Sequence, residues 1–115
     1  MKIKNAVIKS VTIDDADRGF LNAWLHLDYG GSGQGFGGYT LYLPKSFNHH
    51  HLLSHAGHFI WRCMEIGGVS KWENLQGKTI RVRIGDNGLI EAVGHIVNED
   101  WFCPKLDFGK PEDDL

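Results

Sequence analysis

Between residues 30 and 38 the chain reads Gly-Gly-Ser-Gly-Gln-Gly-Phe-Gly-Gly. Such a run suits one kind of chemistry, the holding of an anion or a base by bare backbone. Without a Cβ in the way, successive N–H groups approach a ligand closely and can form an anion-binding concavity. Gln34 adds a bidentate amide, and Phe36 and Tyr39 add flat surfaces for a base or a ribose. Gly33, Gln34, Gly35, Phe36, Gly37, Gly38 and Tyr39 are therefore the first group of candidate ligand-binding residues. Gly33, Gly35 and Gly38 formally satisfy G-x-G-x-x-G, but that fingerprint works where the glycine turn opens a helix. Here Thr40-Leu41-Tyr42-Leu43 follows and ends at Pro44, so the dinucleotide reading fails on context. A second reading of the same glycines stays open: a bulged or twisted edge strand beside a loop.

The second group of candidates combines a cation with polar and aromatic side chains. Arg62 lies at the boundary of an apolar helical stripe, where a guanidinium can snorkel and present its fork to a phosphate. His26 and His95 are the better histidine candidates for ligand contact, each within a strand next to a glycine or an acidic neighbour. Asn98 and Trp101 follow closely after His95. Arg62, His95, Asn98 and Trp101 complete the expected ligand-binding set, although each tryptophan taken alone also suits core packing. Arg81 and Arg83 share one strand face, with Lys78 just before it. His51, His55 and His58 stand at i, i+4 and i+7, a spacing that could hold a divalent metal. No H-E-x-x-H is present and no carboxylate lies near enough to orient an imidazole, so a solvated or partly packed helix end is the competing account and no metal is expected. Asp14, Asp15 and Asp17 alternate as in a calcium loop but lack its closing glutamate, which leaves turn chemistry. Cys63 belongs to the apolar stripe as a core thiol, and no catalytic set forms around either cysteine. The chain is expected to be neither an enzyme nor dependent on a cofactor.

These residues must be positioned by a small number of elements. Residues 3–13, 20–29 and 35–43 read as three strands of an antiparallel meander, with Leu21, Ala23, Leu25 and Leu27 on one side of the second. Leu52, Leu53, Ala56, Phe59, Ile60, Cys63 and Met64 form one helical stripe, with Ser46 or Asn48 as possible cap and Gly67-Gly68 as its end. Ser70-Lys71-Trp72-Glu73 matches a capping box that opens a short helical turn ending near Gly77. Residues 79–84 and 89–93 pair across Asp86-Asn87-Gly88, the second running on through residues 94–97. The tail from Pro104 is expected to fray. The order β-β-β-α-β-β, with a short helical turn before the last two strands, predicts an α+β domain with a largely antiparallel sheet covered by one main helix. One helix leaves part of such a sheet unsealed, so a homodimer or higher homo-oligomer is expected.

Composition narrows the function classes. The 115 residues fit one ligand-binding domain, 42% hydrophobic and 23% charged. No run approaches a membrane span, and the N-terminus lacks the apolar region of a secretory signal. Twelve basic against 14 acidic residues give a net charge of −2, which disfavours coating a nucleic-acid polymer but not binding a small anion. Two cysteines without C-x-x-C or zinc spacing point to a reduced intracellular protein.

The run Leu27-Asp28-Tyr29-Gly30-Gly31-Ser32-Gly33-Gln34-Gly35-Phe36-Gly37-Gly38-Tyr39 resembles the signature of the phage anti-Thoeris sponge proteins of the first-described type. The segments Trp72-Glu73-Asn74-Leu75-Gln76-Gly77-Lys78 and Gly94-His95-Ile96-Val97-Asn98-Glu99-Asp100-Trp101-Phe102 are similar as well, so the resemblance spans most of residues 20–103. It implies small antiparallel sheets with helices, assembled as dimers and higher oligomers. It further implies binding of a cyclic ADP-ribose isomer, the alarm signal of a bacterial TIR-domain protein, in some members with cyclic di- or trinucleotides. The implied role is to sequester that signal unchanged in the host cytoplasm, so that the defence effector stays inactive. The glycine-aromatic run and the Trp101-Phe102 region carry the family pattern; the histidines at 49–51 fall outside it. Two alternatives compete: a module that blocks a host protein, and a weak hydrolase of the signal using His26 or His95.

Overall fold

The computed structural model describes residues 2–17, 20–41 and 55–108. Six strands form one curled antiparallel sheet in the order β3-β2-β1-β4-β5-β6: β1 (Lys2–Asp17), β2 (Phe20–Asp28), β3 (Gly33–Leu41), β4 (Thr79–Ile84), β5 (Ile90–Gly94) and β6 (Trp101–Phe102). The main helix α1 (His55–Gly67) lies on the inner face, a 3-10 turn spans Trp72–Leu75, and a single helical turn α2 (Pro104–Asp107) follows β6. The α+β class and the antiparallel sheet are those expected from the alternation of apolar residues. The two-residue strand β6 adds a sixth strand to those expected, and the turn α2 stands at the start of the tail expected to fray from Pro104, whose residues 109–115 lie outside the described residues.

Each element follows from its local sequence. In β2, Ala23, Leu25 and Leu27 are buried while Trp24, His26 and Asp28 face outward, the two-residue period of a strand with one packed face. β1 changes parity along its length. Ala6 and Ile8 point inward, a bulge at Lys9 follows, and Val11 and Ile13 then pair with Leu25 and Ala23 on the inner face. Helix α1 buries Ala56, Phe59, Cys63 and Ile66. It ends in a Schellman motif: Gly68 takes φ +70°, its N–H donates to Glu65 O at 3.1 Å, and Val69 N–H donates to Met64 O at 3.0 Å. The expected start at Leu52 and the caps Ser46 and Asn48 lie outside the described residues, as does His49-His50-His51. The capping box at Ser70 does not form: Lys71 is the N-cap of the 3-10 turn and no side chain caps it.

The sheet curls far enough for its two edges to meet through side chains. Phe36 on β3 and Phe102 on β6 pack edge to face, with ring centroids 6.5 Å apart. Gln34 on β3 reaches the β4–β5 turn, donating to Gly88 O at 2.7 Å and accepting from Ile90 N–H at 3.0 Å. Within this curl Phe59 of α1 is fully buried and touches the rings of Phe36, Tyr39, Trp72 and Phe102 at 5.2–6.4 Å. No helix of the described residues is long and apolar enough to cross a membrane.

Candidate ligand-binding site

The glycine run is mostly strand rather than loop, and its members do different work. Gly30 and Gly31 form the β2–β3 turn with φ of +71° and +86°, as a type I′ hairpin turn requires at both central positions. Further along, the glycines are seats for rings. A Cβ on Gly35 or Gly38 would stand 3.1 or 2.7 Å from the Trp24 indole, which lies across both on the outer face. On the inner side, a Cβ on Gly37 would stand 2.7 Å from Phe59 and 2.6 Å from the carbonyl oxygen of Ala23. The bulged-strand account therefore holds for Gly37 and Gly38, where the β2–β3 register shifts. The close approach these glycines permit is to the chain's own aromatics.

Between the turn and the ring seats, one stretch of glycine backbone stays open. Gly31, Ser32, Gly33, Gln34 and Gly35 line a groove of about 440 Å³ together with Lys9, His26, Leu27 and Asp28. A smaller hollow of about 260 Å³ lies on the other side of the turn and shares Asp28 and Gly31 with it. The β1 bulge places Lys9 in the lining, so an ammonium and an imidazole stand beside exposed glycine main chain. Among the described residues β3 is an edge strand of the sheet, with alternate backbone groups along it that no other described strand pairs. His26 Nε2 lies 3.3 Å from Thr12 Oγ1, a contact that orients the imidazole across the outer face.

The expected binding residues separate into three places. Gly33, Gln34 and Gly35 line the groove. Within it Gln34 is a structural brace, since its amide also donates to Tyr29 Oη at 2.6 Å. Phe36 is 7% exposed and belongs to the core, so it offers no stacking surface to a ligand. Tyr39 packs at the core's edge against Phe59, and burial raises its phenol above its ordinary range. Strand parity turns Phe36 inward, and the bulge at Gly37–Gly38 resets the period so that Tyr39, three residues on, turns inward as well, away from the groove.

Arg62, His95, Asn98 and Trp101 gather around the β5–β6 connection, where they hold one another. Arg62 donates to Asp100 Oδ1 at 2.7 Å, to Glu65 Oε1 at 2.8 Å and to Trp101 O at 3.1 Å, and its guanidinium lies 5.7 Å from the Phe102 ring centroid. A fork so occupied is a clamp on the connection rather than an open phosphate site. His95 Nδ1 accepts N–H bonds from Val97 at 3.0 Å and Asn98 at 2.9 Å. That turn ends β5 at Gly94, three residues before the expected end. Arg81 grips the same turn from below, donating to His95 O at 2.8 Å and to Asn98 O at 2.8 Å. Trp101 lies over Gly94, with the Arg81 and Arg83 guanidinium groups 5.0 and 5.6 Å from its ring.

The charges of this cluster shift as their contacts require. The hydrogen bond from Arg62 holds Asp100 below its ordinary carboxylate value of 3.8. Glu99 is lowered by its bonds from Trp101 and then Arg81. Burial pushes the Cys63 thiol well up, which keeps it protonated as an inert core group. Because the folded Asp100 is the stronger acid, its contribution to stability is complete above pH 3.8 and is lost as pH falls through the lower folded value. With Asp100 48% exposed, that contribution is at most about 1 kcal/mol. Arg62→Met is expected to flatten the acid limb of stability measured by thermal unfolding from about pH 6 to 2; limbs of equal steepness would show that the pair contributes nothing.

Sequence reasoning did not select Lys9 or Asp28; of the two histidines it named as candidates for ligand contact, His26 lines the groove and His95 does not. The signal for Lys9 was present in the three-residue step from Ile8 to Val11, which breaks the strand period and marks a bulge. Among the described residues no group of three His, Cys, Asp or Glu side chains is placed to hold a metal ion. The described residues form a small α+β domain with a solvent-open, glycine-floored groove whose lining includes one lysine. No family model, curated protein or solved structure matches this chain.

Proposed function

We propose that the chain is an anti-defence sponge of the anti-Thoeris kind, binding a cyclic ADP-ribose isomer and holding it intact in the host cytoplasm. The observation that carries this reading is the groove at Gly31–Gly35, where bare backbone lies beside Lys9 and His26. Amide N–H groups and an ammonium complement a pyrophosphate, and the Asp28 carboxylate suits a ribose diol at the same rim. The groove's volume of about 440 Å³ falls within the ordinary range for small-molecule sites. The sequence resemblance supplies the ligand class, and cyclic di- or trinucleotides are further ligands on the same grounds. Being open to solvent, the groove encloses a ligand fully only when a second copy of the chain covers it, which favours a homodimer or higher homo-oligomer as the active form. A nucleic-acid polymer is no part of this reading, in keeping with the net charge of −2.

A second reading has its own observation. Trp61 on α1 is 62% exposed, an uncommon position for an indole and one that suits docking on a host protein. Incubation with the cyclic ADP-ribose isomer, removal of free ligand, and heating of the protein separate the readings. Release of the intact nucleotide, reduced at least tenfold in Lys9→Glu, is the expected result. A linear product would establish hydrolysis, and no retained nucleotide would favour the interaction module.

A further inference from the structure

The rings expected to stack on a ligand, Phe36 and Tyr39, are turned inward, yet one indole lies on the groove's own side of the sheet. Trp24 faces outward from β2 along with His26 and Asp28, which line the groove. Trp24 itself stands just beyond that lining, at the Gly35 end. Gly35 belongs to both: it lines the groove, and a Cβ on it would stand 3.1 Å from Cε3 and Cζ3 of the indole. A Cβ on Gly38 would stand 2.7 Å from Cζ2 and 3.1 Å from Cη2. These atoms all belong to the six-membered ring, which is therefore laid down on bare main chain.

The seat leaves the indole available. Trp24 is only half-buried although glycine lies beneath it, so part of the ring surface meets solvent on the side away from the sheet. On β1, Thr12 pairs with Trp24 and places its Oγ1 3.3 Å from His26 Nε2, which fixes the imidazole next to the indole. From Gly33 to Gly35 the strand advances about 7 Å, a reach that one pentose bridges between a phosphate and its base. A flat ring already held in place stacks on a base without first having to be ordered.

We propose that Trp24 is the base platform of this groove: a purine, joined through its pentose to a pyrophosphate at Gly31–Gly35, stacks on the indole face turned away from the sheet. This placement of the base rests on the pyrophosphate reading of the groove. It gives the stacking role expected of Phe36 and Tyr39 to a residue of the neighbouring strand, and it sets His26 beside the base or its pentose.

Calorimetric titration with the cyclic ADP-ribose isomer and, separately, with inorganic pyrophosphate tests the platform apart from the groove. Trp24→Leu is expected to weaken nucleotide binding about tenfold or more and to leave pyrophosphate binding unchanged. Trp24→Phe, which keeps a ring in the seat, should recover most of the nucleotide affinity. Stacking should also quench indole fluorescence in the unaltered chain. Trp24→Phe, with Trp61, Trp72 and Trp101 still in place, should lose that quench while binding the nucleotide. Nucleotide bound as tightly by Trp24→Leu, or a quench that persists in Trp24→Phe, would overturn the platform; the groove would still stand if Lys9→Glu abolished binding. Equal loss of nucleotide and pyrophosphate in Trp24→Leu would overturn it too, making the ring a brace of β3 only. No nucleotide binding by the folded, unaltered chain would overturn both. The fluorescence pair decides alone should Trp24→Leu fail to fold or pyrophosphate bind too weakly to measure.

Discussion

Gly37→Ala is expected to destabilise the protein by about 3–5 kcal/mol, combining roughly 1–3 for backbone strain with roughly 1–3 for overpacking. Gly37 has a φ of +129°, a region that side-chain-bearing residues rarely enter. The new methyl would stand 2.6 Å from the Ala23 carbonyl oxygen, which is backbone and is tied into the sheet. It would also stand 2.7 Å from Cζ of Phe59, a fully buried ring. Neither neighbour can withdraw without opening the β2–β3 ladder or the aromatic centre. Gly31→Ala is the matched control. Its φ of +86° is also unfavourable, yet nothing lies within 4 Å of the added carbon, so its cost should stay near 1–2 kcal/mol. Denaturant unfolding of the two variants measures the difference; equal losses would mean that the ring contact at Gly37 is unimportant.

Phe59→Ala should cost about 3–5 kcal/mol, the usual loss for a large aromatic removed from a closed core. Phe59 is fully buried and joins elements that are distant in sequence: Phe36 and Tyr39 of β3, Trp72 of the 3-10 turn, and Phe102 of β6. Because Phe102 and Phe36 come from opposite edges of the sheet, the cavity would also loosen the curl itself. Phe59→Leu, which keeps most of the volume, should lose much less. A drop of under about 1 kcal/mol for the alanine variant would contradict a central role for this ring.

The first five strands were legible because their inward residues alternate, as in Ala23, Leu25 and Leu27, and because Asp86-Asn87-Gly88 marks a hairpin turn, whereas the two-residue β6 has no such period to read. The end of β5 was not, because it depends on His95 Nδ1 bonding two backbone amides, a contact that no propensity encodes. The glycines divide on the same principle. Gly30 and Gly31 could be read as a turn from residue type alone, whereas Gly35 and Gly38 acquire their meaning only when Trp24 is laid across them. Arg62 and Phe36 show the limit most plainly. Residue type makes a guanidinium and a phenyl ring look like ligand contacts, but the curl of the sheet gives Arg62 to Asp100 and Phe36 to the core.

On the proposed function, main chain at Gly31–Gly35 recognises a nucleotide carrying a pyrophosphate. Backbone amide NMR of the full chain, titrated with the cyclic ADP-ribose isomer, addresses it most directly. The largest shifts are expected on Gly31, Gly33 and Gly35, and Lys9→Glu is expected to suppress them. Shifts confined to the His95–Trp101 turn, or none while the protein is folded, would contradict it.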